Sequence, residues 1–168
     1  LGRYDEAALM IHRAKELDPL SSVIRSNISV IYLTQKDYDA SLESSLELIE
    51  LDPNFPSAYQ NLGFSYLKLG RNTEAIASFE KSVELNKRDS NSLSVLGYGY
   101  AITGKRAEAN SIVKELEEKY ARKESSEKNI AAVYAGLGEK NKTFEWLEKA
   151  FPEKGSLSWI TFEIPFES

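Results

Sequence analysis

The chain has 168 residues, of which 42% are apolar and 28% charged, with a net charge of −5. That is the composition of a folded domain, not a disordered one. It has no cysteine and a single histidine, His12, which excludes disulfides, thiol catalysis and cysteine-zinc sites and argues against a Ser-His-Asp triad. The acidic balance argues against a nucleic-acid partner, and no apolar run is long enough to span a bilayer.

Residues 3 to 17 form the first predicted helix, with Leu9, Met10, Ile11 and Ala14 apolar and His12 between Ile11 and Arg13. From residue 22 onward the chain repeats itself. Tyr32, Tyr66, Tyr100 and Tyr134 are spaced 34 residues apart, as are Ile28, Leu62, Leu96 and Ile130. A further position holds Gly2, Lys36, Gly70, Gly104 and Gly138, and another Ala7, Ser41, Ala75, Ala109 and Thr143. Such a period marks stacked supersecondary units.

The unit 56 to 89 shows what each repeat contains. Tyr59, Leu62, Gly63, Tyr66 and Leu69 follow helical spacing, and Gly70 ends that helix where a left-handed residue is required. A second helix follows from Thr73 to Leu85, with Ala75, Ile76, Phe79 and Val83 on its apolar side. The other units run 22 to 55, 90 to 123 and 124 to 157; residues 1 to 21 supply only a second helix. The predicted fold is all-α, with no sheet.

The stretch GYGYAITGKR, 97 to 106, contains Gly99, Gly104 and Lys105 in the spacing of a phosphate-binding loop. That loop needs a preceding strand and a Ser or Thr after the lysine. Here the preceding residues have helical spacing and the next residue is Arg106. Gly97 instead shares the frame of Gly63, and Gly104 that of Gly70. Both mid-helix glycines are expected where the second helix crosses the first, facing Ala75 and Ala109. The carboxylate runs around Glu43 to Glu50 and Glu115 to Glu118 read as solvated helix faces. The sequons at Asn27 and Asn141 fall in predicted helices and read as chance matches.

Tyr59, Leu62-Gly63, Tyr66, Gly70, Ala75 and Phe79 together resemble the tetratricopeptide repeat, with departures at Ser82, usually Ala, and Lys87, usually Pro. The resemblance covers residues 1 to 151. It implies a right-handed alpha-alpha superhelix of antiparallel helix pairs, non-catalytic, without cofactor or metal, that takes a protein or peptide ligand in a concave groove. Residues 134 to 151, with LGYGYAITGKRAEA upstream, are further similar to repeat arrays appended to bacterial signalling proteins such as winged-helix regulators, Ser/Thr kinases and adenylate cyclases.

In the family, the first helix of each unit lines the groove. The corresponding residues here include Asn27, Val30, Gln60, Asn61, Phe64, Lys68, Tyr98, Lys128 and Asn129. Asn27, Asn61 and Asn129 share one frame position. An amide there can pair with the backbone of an extended peptide or with its own scaffold. The Lys and Asn set with which some members clamp a C-terminal carboxylate is absent, apart from Asn61, so no chaperone-tail clamp is expected. Phe64 and Tyr98 are the expected anchors. Helix 3 to 17 lacks its partner helix, which leaves a surface for a homodimer as the alternative. Residues 152 to 168, with Leu157, Trp159, Ile160 and Phe162, are expected to cap the last repeat.

Overall fold

The computed structural model describes residues 2–150, together with the side chains within that span other than those of residues 2–8 and His12. The side-chain environment of His12 and the proposed cap at 152 to 168 therefore lie outside the described residues. Among them all regular structure is helical: α1 (Gly2–Leu17), α2 (Ser22–Thr34), α3 (Tyr38–Leu51), α4 (Pro56–Lys68), α5 (Asn72–Leu85), α6 (Ser90–Ile102), α7 (Arg106–Ala121), α8 (Glu127–Gly136) and α9 (Lys140–Ala150). The helices divide into two compact units, Leu1–Arg88 and Asp89–Ser168.

In both units the turn inside each helix pair is built the same way. The carbonyls of Tyr32, Tyr66, Tyr100 and Tyr134 accept from the N–H groups of Asp37, Arg71, Lys105 and Glu139, at 2.8–3.0 Å. One residue before each of those donors, the backbone is left-handed: Lys36 at φ 62°, Gly70 at 75°, Gly104 at 80° and Gly138 at 72°. This is the closure that satisfies the last helical carbonyls, and it favours glycine because a Cβ is strained there. Lys36 adopts it without that advantage. Helix starts are marked by side-chain caps at Ser21, Asp37 and Asp89 and by Pro56 in the first turn of α4.

In the first unit, Phe79, Leu48 and Ala75 are fully buried between the helices. Gly63 makes this possible: a Cβ built on it would lie 2.4 Å from the Phe79 ring. In the second unit a Cβ on Gly97 would lie 2.8 Å from both Ile112 and Val133. The expectation that these glycines face Ala75 and Ala109 is thus corrected. The space is taken by larger side chains one turn further along, Phe79 and Ile112, and in the second unit also by Val133 of α8. Gly99 is buried within α6, and α6 rather than a strand precedes Gly104, so the segment has no phosphate-loop architecture.

The first unit also carries a polar seam. Ser41 stands in the frame of Ala75 and Ala109 and is fully buried. Its hydroxyl donates to the Ser29 carbonyl at 2.9 Å, and Ser65 Oγ donates to Ser41 Oγ at 2.9 Å. Ser29 Oγ in turn reaches Ser44 Oγ at 3.1 Å. Because each hydroxyl has a partner, burial does not carry the penalty of an unmatched polar group. Ser82 is the exception: it is 1% exposed and its Oγ has no hydrogen-bond partner. Leu48 and Leu116 hold the same frame position.

Two outcomes follow for urea or thermal denaturation. Gly97→Leu should destabilise by about 1–3 kcal/mol or more through overpacking; an unchanged midpoint would contradict the close approach. Ser82→Ala should stabilise by about 1 kcal/mol, since it removes a buried hydroxyl that bonds to nothing; a loss of stability would show that the hydroxyl is satisfied.

Candidate functional site

The nine residues expected to line the groove fall into two sets. Asn27 and Val30 on α2, with Gln60, Asn61, Phe64 and Lys68 on α4, belong to the first unit. Tyr98 on α6, with Lys128 and Asn129 on α8, belongs to the second.

In the first unit α2 and α4 are joined at this face by one side chain. The Asn61 amide nitrogen donates to both the backbone carbonyl and Oγ of Ser26, each at 3.0 Å. Asn61 is only 7% exposed, so its N–H groups are directed at the scaffold. Asn27 is exposed, and Val30, Gln60 and Phe64 are half-buried. The Phe64 ring is held edge-on by Phe79, with centroids 5.1 Å apart and planes at 68°. Aromatic edge-to-face contacts of this kind fix ring orientation.

The second unit repeats the stitch with different atoms. Ser94 Oγ donates to the Asn129 carbonyl at 2.9 Å, joining α6 to α8 with the same 35-residue separation as Ser26 and Asn61. The Asn129 side chain makes a long contact to Ser125 Oγ at 3.5 Å. Tyr98 is half-buried and lies against Gly136, where a Cβ would come within 2.9 Å of Tyr98 Cδ2. An open hollow near the starts of α6 and α8 is lined by Asn91, Asn129, Lys123 and Glu124 among others.

The partners Ser26 and Phe79 set the geometry at Asn61 and Phe64. The signal for Ser26 lay in the frame itself, because a residue and the one 35 positions later meet across consecutive first helices.

Perturbed groups lie elsewhere. Burial, followed by the nearby Glu117 carboxylate, pushes the Tyr134 phenol up to about 12; its hydroxyl contacts Glu117 at 3.3 Å. The hydrogen bond to Glu127 raises Tyr120. Neither forms an acid–base pair with a residue of the groove set. Among the described residues there is no group of three or more His, Cys, Asp or Glu arranged to hold a metal. No described helix is long and apolar enough to cross a membrane.

Residues 56–89 match the family model described as "Tetratricopeptide repeat", and residues 31–70 match one described as "TPR repeat". Among solved structures, TTC0263, a thermophilic TPR protein of Thermus thermophilus, superimposes with a TM-score of 0.73 at 20% identity. The match covers 92% of this chain and 86% of that one. MamA gives a TM-score of 0.58 at 19% identity, over 90% and 88% of the two chains. YrrB, described as a TPR protein with an unusual peptide-binding site, gives 0.53 at 21%, over 91% and 80%. At these identities the likeness is one of fold. No curated protein sequence matches the chain. Residues 31–89 thus carry tetratricopeptide repeats, and the described fold is all-α, of the TPR solenoid type. This is the fold of a protein–protein interaction module.

Proposed function

We propose that the face formed by α2 and α4 binds a peptide or a partner segment, without catalysis, and that Phe64 is its anchor. The observation that carries this is the half-buried Phe64 ring fixed against Phe79, with the exposed Asn27 on the neighbouring helix α2. A rigid aromatic surface of this kind offers contact area at small entropic cost, because it is already ordered before the ligand arrives. With the Asn61 amide engaged by Ser26, affinity rests on Phe64, Val30 and the neighbouring polar rim. A ligand with an aliphatic or aromatic residue fits that surface. Tyr98, Lys128 and Asn129 form the corresponding face of the second unit.

Selection from a random peptide library should enrich sequences with one large apolar residue. Phe64→Ala and, independently, the blocking change Asn27→Arg should each weaken the selected peptides by about tenfold or more. Asn27 is exposed, so its variant should melt like the parent. Absence of enrichment, or binding indifferent to both changes, would remove this face as the site.

A second reading is favoured by a different observation. Leu9, Met10, Leu17, Leu20 and Val23 are between 60% and 83% exposed, a concentration of apolar surface that suits self-association. If α1 mediates a homodimer, light scattering should show a mass that rises with concentration and returns to the monomer in Met10→Glu. A constant monomer mass at all concentrations excludes it.

A further inference from the structure

The face formed by α2 and α4 has a charge pattern unlike the rest of the chain. Overall, 26 acidic residues outnumber 21 basic ones. Yet α2 and α4 carry no carboxylate: SVIRSNISVIYLT and PSAYQNLGFSYLK hold only Arg25 and Lys68 as charged residues. Between Ser22 and Leu85, every helical carboxylate stands on α3 or α5.

The two cations have different places. Arg25 Nε donates to the Pro19 carbonyl at 2.8 Å, and the guanidinium lies 3.6 Å from Glu47 of α3. Arg25 therefore serves the scaffold. Lys68 is exposed in the last turn of α4, four residues after Phe64. That spacing puts Lys68 and Phe64 on one face of the helix, about 6 Å apart along its axis. A carboxylate brought to this face meets a cation and no like charge on either helix. Such complementarity selects a partner and fixes its register more than it adds raw affinity.

The spacing also sets a register for the ligand. In an extended peptide, side chains on one side recur every second residue, about 7 Å apart. An apolar residue seated on Phe64 thus brings the side chain two positions away beside Lys68.

On the reading that this face binds a peptide through Phe64, we infer that the ligand is an extended acidic peptide. Its Asp or Glu stands two residues from the apolar anchor and pairs with Lys68. The carboxylate is a side chain's. Of the residues that would clamp a chain terminus only Asn61 is present, and its amide is engaged by Ser26.

The test uses the full chain and synthetic peptides amidated at the C-terminus. Each has one Phe in an Ala–Ser background, with Glu, Gln or Lys two residues away on both sides. By fluorescence anisotropy at low ionic strength, the Glu peptide should bind about fivefold tighter than the Gln peptide, and the Lys peptide should bind weakest. High salt should erase the difference. Lys68→Gln should lower the Glu peptide to the level of the Gln peptide, and Lys68→Glu should reverse the order in favour of Lys. Lys68 is exposed, so both variants should melt like the parent. Phe64→Ala should weaken all of the peptides alike. Equal binding of all the peptides, still weakened by Phe64→Ala, would overturn the acidic ligand and leave the apolar face standing. A Glu preference that survives Lys68→Gln would overturn the pairing with Lys68. Failure of every peptide to bind would remove the face and the acidic ligand together.

Discussion

A ring stands where a side chain would have to be. The Phe79 edge occupies the space that any Cβ on Gly63 would need, and the seating of α5 on α4 depends on that exchange. A glycine inside a helix costs about 1 kcal/mol relative to alanine. The cost is offset because the absent Cβ lets a fully buried Phe seat α5 on α4. That seating in turn orients Phe64, whose ring leans on Phe79. Core and candidate site are thus two sides of one contact.

The second unit meets the same constraint with other residues. Val113 holds the frame of Phe79, and Ile112 and Val133 fill the room beside Gly97. The repeat therefore conserves a volume and a crossing, not a particular pair of side chains. The same is true of the stitch between consecutive first helices. Ser26 and Asn61 make it through a side-chain amide, and Ser94 and Asn129 through a backbone carbonyl.

The helices, their turns and the frame were legible in the sequence, because each depends on local terms: helical periodicity at Tyr59 to Leu69, left-handed closure at Gly70, Gly104 and Gly138. The left-handed Lys36 was legible only by its place in the frame, since its residue type argues against that conformation. What the glycines face was not legible. A 34-residue period records that a position is small, not which neighbour enters the gap. The direction of the Asn61 amide was hidden for a similar reason. An amide at a groove position can turn outward or inward, and only the placement of Ser26 on the adjacent helix decides. The serine seam of the first unit was equally unreadable, because Ser41 in an alanine frame reads as a small residue until Ser29 and Ser65 are seen against it.

That seam bears on how the protein comes apart. Arrays of helix pairs can fray from an end, one pair at a time, when neighbours share only apolar contact. Ser29, Ser41 and Ser65 tie α2, α3 and α4 through hydroxyls that are all buried. Peeling α2 takes the acceptor from the Ser41 hydroxyl, and peeling α3 takes the acceptor that Ser41 Oγ offers to Ser65, so each separation breaks a buried hydrogen bond. The three helices are thereby coupled, and backbone amides in α2, α3 and α4 are expected to exchange with solvent through a shared opening.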